Sequence, residues 1–385
     1  MSNPLLQLQQ LGQSPWYDNI RRGLITSGEL QRLIAEDGVC GLTSNPAIFE
    51  KAIAGSAEYA GALRALAHAG RTPQEIYEAV AIADIQWVAD LLLPVYEKTH
   101  GRDGFVSLEV SPHLAQDTAG TIEEGLRLAG EVGRANLMIK VPGTQAGLPA
   151  IEHLIGAGIN VNITLLFSLD NYLQVAQAYL AGLEKRATQG GDLAAVASVA
   201  SFFISRIDSM VDKELENRLA KTEKASQRLA LRNLAGKAAI ANAKLTYARY
   251  QELCASPRWQ QLAAQGARPQ RLLWASTSTK NPAYRDVIYV EELIGADTVN
   301  TLPDATLRAF RDHGVARPTL GEGLEEAKEV MESLEELGVS MAEVTRRLQE
   351  EAVQLFVEPF DKLLAAIASQ SAIASQSAAA RRSAA

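Results

Sequence analysis

Lys140 stands in the stretch NLMIKVPGT, residues 136–144, directly after Leu137, Met138 and Ile139 and before Val141. Burial among apolar side chains disfavours an ammonium and can move a lysine pKa down from about 10.4 by several units. A neutral amine is a nucleophile: it can attack a ketone and form a Schiff base, an electron sink for cleaving an adjacent carbon–carbon bond. The structural alternative is that the amine snorkels past the strand end to solvent or pairs with a carboxylate such as Glu109. Glu109, flanked by Leu108 and Val110, is hard to explain as a surface residue. Beside the lysine it would shuttle protons, through water, as a carbinolamine forms and breaks. Asp18, in WYDNIRR, reads either as the N-cap of a helix or as the base that takes a sugar hydroxyl proton during retro-aldol cleavage.

Other candidates are individually weaker. Asn45 in LTSNPAIF and Thr164 in NITLLFS are residue types that close turns. Arg206 in ASFFISRID and Lys280 in STSTKNP suit either solvent or a phosphate held by charge-assisted hydrogen bonds. Ser201 and Ser276 close apolar runs of their own. His68, His100, His113, His153 and His313 show no H-E-x-x-H or paired spacing, so no metal is expected. No G-x-S-x-G elbow and no glycine-rich nucleotide fingerprint occurs.

These residues sit where short apolar runs end. Eight such runs occur, at 14–18, 38–46, 105–112, 136–142, 159–168, 196–206, 271–278 and 297–303, with helix-patterned segments between them, such as 72–99, 118–133 and 168–187. Strand and helix in alternation imply parallel strands covered by helices, and eight repeats favour a closed barrel over an open sheet. The fold expected is α/β, a single (β/α)8 barrel, in which chemistry belongs at the C-terminal strand ends. Residues 207–252 and 321–368 are helix-patterned additions expected to pack outside it. Residues 1–368 form the expected catalytic domain, and 369–385, with AIASQS duplicated at 366–371 and 372–377, an alanine- and serine-rich tail expected to be disordered.

The chain has 385 residues, 47% hydrophobic and 21% charged, with 37 basic against 45 acidic side chains and a net charge of −8. That balance argues against nucleic acid or an anionic membrane as partner, so attraction of an anion must be local. Cys40 and Cys254 are too few for a disulfide framework and suit a reducing compartment. The N-terminal MSNPLLQLQQLGQSPW lacks a basic start and a long apolar core, and no run reaches the roughly 18 apolar residues of a membrane helix, so a cytoplasmic location is expected. Oligomeric state is not legible.

Taken in order, WYD, GLTSNP, SLEVSP, IKVPGT, NITLLFS, SFFISR and WASTSTKNP resemble the transaldolases, over roughly residues 14–365. The motifs are specific as an ordered set. The resemblance implies a single TIM barrel without metal or organic cofactor that moves a dihydroxyacetone unit from a ketose phosphate to an aldose phosphate. It implies Lys140 as the Schiff-base lysine, Asp18 as acid/base on the donor C4 hydroxyl, and Glu109 acting through a water with Thr164. Asn45 and Ser201 would orient the dihydroxyacetone hydroxyls, Arg206 and Ser276 match phosphate positions, and Phe203 matches an active-site aromatic. Many transaldolases carry a second phosphate arginine where this chain has Ser278, and that role passes to Lys280, a point charge without the arginine fork. The alternatives are a fructose 6-phosphate aldolase that releases free dihydroxyacetone, and a barrel that binds without catalysis.

Overall fold

A computed structural model describes the backbone of residues 3–383 and the side-chain surroundings as far as residue 370. Each of the eight apolar runs coincides with one strand, the first strand starting one residue before its run: β1 (Gln13–Asp18), β2 (Gly41–Thr43), β3 (Phe105–Glu109), β4 (Leu137–Pro142), β5 (Val161–Leu166), β6 (Ser198–Phe203), β7 (Arg271–Ala275) and β8 (Thr298–Leu302). They close in sequence order into a barrel. Neighbours are parallel, and β8 pairs back onto β1 from Gln13↔Thr298 to Tyr17↔Leu302. The (β/α)8 expectation holds because each strand is followed by a crossover long enough to return to the same edge.

Side chains alternate across each strand. On β4, Ile139 faces the helical layer, where a Cβ at Gly125 would lie 3.5 Å from its Cγ2, and Lys140 faces the interior. The apolar neighbours of Lys140 in sequence are therefore on the other side of the sheet, and its nearest partners in space are Glu109 and the Ser44 carbonyl, with the Phe356 ring 5.4 Å away. The expectation of an amine enclosed by Ile139 and Val141 is corrected accordingly. Gly41 shows how tightly the interior is filled: any Cβ there would strike the Trp16 indole at 2.4 Å.

The N-terminal end of the barrel is closed by a polar plug. Arg271 donates to Ser14 Oγ (2.8 Å) and Asp103 Oδ1 (3.0 Å), and Asp103 also accepts from Ser14 Oγ (2.8 Å) and Trp16 Nε1 (3.1 Å). Arg271 and Asp103 are both buried. Removing one member of a buried pair leaves the other charge uncompensated, which typically costs about 3–5 kcal/mol. Arg271→Ala is therefore expected to lower unfolding free energy by about that amount in urea denaturation, with the C-terminal site intact.

At the opposite end the strands are less regular. Register slips in β5 between Ile163 and Leu166, and Leu165 adopts a left-handed φ of 63°. Ser276, just after β7, does the same at 55°. Non-glycine residues in this region carry strain of order 1–3 kcal/mol, held by surrounding structure and found mainly at functional sites.

The helix Pro73–Lys98 is long and apolar enough to cross a membrane by length and composition alone, a property the search for uninterrupted apolar runs overlooks. Here Ile76, Val80, Val88 and Leu92 bury one face and the helix packs against β3. Helices Ser205–Lys221, Ala225–Leu234 and Ala238–Ala255 form the addition after β6. Asp208 ties it down, accepting from Ala239 N (2.8 Å) and Tyr289 OH (2.7 Å). The last helix, Met341–Ser383, includes most of the stretch expected to be a disordered tail, whose side chains from 371 onward lie outside the described residues. Its earlier turns pack outside the strand barrel, at its C-terminal mouth. They cross the C-terminal strand ends, against helices Pro46–Ile53, Ala57–His68 and Pro73–Lys98 and against β5.

Candidate active site

Beneath that last helix the strand ends enclose an open cavity of about 330 Å³. Lys140 sits in its wall, 5% exposed, and register places it directly beside Glu109. Its Nζ donates to the Ser44 carbonyl (3.1 Å) and lies 3.0 Å from Glu109 Oε2. Apart from this ion pair neither carboxylate oxygen has a partner among the described residues. Burial pushes the Glu109 carboxyl above the usual range, the Lys140 ammonium pulls it back, and the Asp18 charge adds a small upward push. The structural reading of this pair and the chemical one coincide in the same geometry.

Asp18 closes β1 at the cavity floor. The neighbouring helix Arg22–Thr26 is capped at Arg21, which removes the N-cap reading of Asp18. Its Oδ1 accepts from Thr43 Oγ1 (2.6 Å), which in turn lies 2.6 Å from Thr301 Oγ1. Burial is the largest influence and raises the Asp18 carboxyl, opposed by the Thr43 bond and by the charges of Lys140 and Lys280. Two carboxylic acids with increased proton affinity thus act on one primary amine, Asp18 from the cavity wall and Glu109 from behind it.

Thr164 is fully buried, and its Oγ1 has no hydrogen-bond partner among the described residues. Ser201 Oγ donates to Asn162 Oδ1 (2.6 Å), and Asn162 Nδ2 donates to Ser107 Oγ (3.0 Å), a chain that fixes the serine from below. Asn45 both lines the cavity and caps the helix Pro46–Ile53, accepting from Ile48 N (3.0 Å). The cap uses its amide oxygen and leaves its NH₂ group for a ligand.

The far end of the cavity is cationic. Arg206, half-buried in the first turn of helix Ser205–Lys221, has a buried Nη1 with no acceptor among the described residues, and burial pulls its guanidinium below the ordinary value. The Phe203 ring lies 5.4 Å from its Cζ and packs against Phe167 at 5.2 Å. Ser276 Oγ stands 3.0 Å from Ser205 Oγ, and the Ser276 carbonyl accepts from that same hydroxyl (2.6 Å). Lys280, exposed at the rim, donates to Ser278 Oγ (2.6 Å); desolvation and then the positive charges of Arg206 and Lys51 lower its pKa. Arg206, Lys51 and Lys280 gather here without a carboxylate in ion-pair contact among the described residues, the arrangement of an anion site.

All the residues singled out in the sequence except Glu109 line this one cavity, and Glu109 touches it through Lys140. Sequence reasoning missed Thr43, Asn162, Lys51 and Phe356. Lys51 left a faint signal, a cation in the last turn of the helix that Asn45 caps. Phe356 left none, because it arrives from the last helix. A larger groove of about 650 Å³, between helices Ser205–Lys221 and Met341–Ser383, shares Arg206 with the cavity but contains neither Lys140 nor Asp18. Among the described residues no three His, Cys, Asp or Glu side chains gather as a metal site.

The family model for transaldolase/fructose-6-phosphate aldolase matches residues 15–367, from β1 into the last helix. The chain belongs to this family. The transaldolase/fructose-6-phosphate aldolase match is accompanied by close relatives of nearly equal length. A protein named transaldolase from Trichodesmium erythraeum (strain IMS101) is 48% identical over 369 residues, covering 95% of this chain and 97% of the relative. Transaldolase 2 of Nostoc sp. (strain PCC 7120 / SAG 25.82 / UTEX 2576) is 49% identical over 368 residues, 95% and 97% of the two chains. A transaldolase from Thiobacillus denitrificans (strain ATCC 25259 / T1) is 49% identical over 360 residues, 94% and 98%.

Proposed function

We propose that this chain is a transaldolase, moving a dihydroxyacetone unit from a ketose phosphate such as sedoheptulose 7-phosphate or fructose 6-phosphate to an aldose phosphate such as erythrose 4-phosphate or glyceraldehyde 3-phosphate. The observation that carries the reading is Lys140 Nζ, buried at 3.0 Å from Glu109 Oε2 in the same cavity as Asp18 and as Arg206, whose Nη1 has no partner among the described residues. The names of the relatives point the same way.

The geometry suggests the order of events. To attack, the lysine must lose a proton, and the nearest acceptor is Glu109, whose proton affinity burial increases. The free amine adds to the C2 carbonyl, and Glu109 then acts as acid, through a water held by the unpartnered Thr164 hydroxyl, as the carbinolamine expels water to give the iminium. Asp18 takes the C4 hydroxyl proton, the C3–C4 bond breaks, and its electron pair is stored in the nitrogen-bound three-carbon enamine. The aldose phosphate leaves, the acceptor aldehyde enters, and the steps reverse. Asn45 NH₂ and Ser201 Oγ orient the hydroxyls of the three-carbon unit, while Phe203 supports Arg206. Arg206, Ser276 and Lys280 hold the phosphate at the far end. The free thiols of Cys40 and Cys254 support a reducing cytoplasm as its location.

Borohydride treatment in the presence of fructose 6-phosphate, followed by peptide mass analysis, tests this reading. A reduced three-carbon or six-carbon adduct on Lys140 is expected, and an unmodified Lys140 peptide rejects the mechanism. Arg206→Ala is expected to raise KM for phosphorylated donors about 10- to 100-fold, the worth of one charge-assisted contact of about 1.5–3 kcal/mol. Unphosphorylated dihydroxyacetone donors should be nearly unaffected, and an equal loss with both classes would remove the phosphate role.

A further inference from the structure

We infer that Gln349, carried across the barrel mouth by the last helix, is a positioning residue for the water through which Glu109 acts on the lysine adduct. It holds the bulge of β5 that points the Thr164 hydroxyl into the cavity. The inference deepens the Schiff-base reading of Lys140 and rests on it. Thr164 lines the same cavity as Lys140, is fully buried, and its Oγ1 has no partner among the described residues. A buried hydroxyl without a protein partner is free to hold a water or a ligand. With no hydrogen bond to orient it, and with a β-branched side chain stiff about χ1, this hydroxyl points where the backbone sends it.

That backbone is irregular. Ile163 pairs with Ala200 and Leu166 with Phe202, so three steps along β5 match two along β6. An extra residue of this kind reverses which side chains face inward beyond it. Asn162 and Thr164 face the interior before the bulge, and Phe167, an odd number of residues on, packs at 5.2 Å against the cavity-lining Phe203. The left-handed φ of 63° at Leu165 is strained for a leucine and persists only where its surroundings hold it. Gln349 supplies the hold. Its Nε2 donates to the Leu165 carbonyl (3.2 Å), to the Gly143 carbonyl (3.1 Å) and to Asn171 Oδ1 (3.0 Å). Gly143 N in turn donates to the Thr164 carbonyl (2.7 Å), and Asn171 Nδ2 donates to the Gly143 carbonyl (2.8 Å). The carbonyls of Thr164 and Leu165 are therefore tied to one amide side chain, the first through Gly143 and the second directly. The helix that delivers Gln349 is seated by Ala352, Phe356, Phe360 and Leu363, all buried, at the three- and four-residue spacing that makes one helical face.

The relay serves two steps of the cycle. In the carbinolamine the former carbonyl oxygen takes a proton from Glu109 through the held water and leaves as water, while the nitrogen lone pair closes the C=N bond of the iminium. At product release the same path runs backwards: water adds to the iminium carbon and its proton returns through the relay to Glu109. Cleavage of the C3–C4 bond, with Asp18 as base, does not use the relay. A displaced Thr164 hydroxyl therefore slows formation and hydrolysis of the iminium and leaves cleavage within it as it was.

The test uses the full chain, the Gln349→Met, Gln349→Leu and Thr164→Val variants, and the Gln349→Met/Thr164→Val double variant, each mixed with fructose 6-phosphate. Borohydride quenches at successive times read how fast the Lys140 adduct appears and, once it has ceased to grow, its ratio of three-carbon to six-carbon forms. Methionine and leucine are good helix formers that donate no hydrogen bond, and Gln349 is only partly buried; the second variant serves should the first not fold. Each is expected to slow appearance of the adduct about tenfold, a part of the roughly 10²- to 10⁴-fold that a positioned acid contributes, with the final ratio within about twofold of the parent. Thr164→Val should slow it about a hundredfold. Adding Gln349→Met to Thr164→Val should slow it by no more than about twofold further, because the hydroxyl that Gln349 positions is gone. A full further tenfold in the double variant, of the order expected of independent sites, overturns the inference alone, as does a parental rate in a Gln349 variant. A parental rate in Thr164→Val removes the water role of Thr164 and the inference with it. Absence of the adduct in the parent overturns the Schiff-base reading itself.

Discussion

Lys140→Ala is expected to abolish turnover and the borohydride-stable adduct together. The loss should be at least about 10⁵-fold in kcat, the scale on which removing a covalent nucleophile acts. The fold should survive it. Glu109 loses its ion-pair partner, but burial already favours the protonated carboxyl, and a neutral acid is far less costly to enclose than an unpaired carboxylate. Lys140→Met, closer to lysine in length, should show the same kinetic loss with less disturbance of packing. Near-parental thermal unfolding alongside a missing adduct would separate lost chemistry from lost structure. Activity within about a hundredfold of the parent would mean that another nucleophile carries the reaction.

Asp18→Ala is expected to behave differently. Donor should still condense with Lys140, so borohydride still captures an adduct, while cleavage slows by about 10²- to 10⁴-fold, the contribution of a positioned general base. The adduct trapped should then be weighted toward the intact six-carbon donor over the three-carbon remnant. In the parent, Asp18 must be ionised to accept the C4 proton. Because its carboxyl is raised, activity should decline with falling pH at a value above the ordinary aspartate range, where a solvent-exposed carboxylate would still be charged. The acid limb of kcat/KM against pH reads this directly. Loss of adduct in Asp18→Ala equal to that in Lys140→Ala would refute the division of labour between the two residues.

The last helix explains what a reader of the sequence cannot see. Its buried stripe at Ala352, Phe356, Phe360 and Leu363 is regular and announces a helix with one packed face. Nothing local says which surface receives it, and the expectation of packing outside the barrel left open that the surface would be the barrel's mouth. Gln349 and Phe356 acquire their positions from contacts with strand ends 184 or more residues away in the chain. Lys140 gives the converse case. Its type and place at a strand end marked it for chemistry, yet the surroundings inferred from Ile139 and Val141 were those of the opposite sheet face.

The sequence by itself determined the eight strand-and-helix repeats, the closed barrel they imply, and the set of polar residues at strand ends, because strand period, helix period and run termination are local properties of a chain. The tertiary structure alone decided that Glu109 and Lys140 fall in register as an ion pair, that Arg206 faces the cavity with its Nη1 lacking an acceptor among the described residues while Lys51 joins it, and that Phe356 lies over the amine. Those outcomes depend on which way alternate side chains point once the sheet closes and on which distant segment lies across its mouth. Pairwise distance between remote segments is set by the packing of the whole chain, and no stretch of sequence contains it.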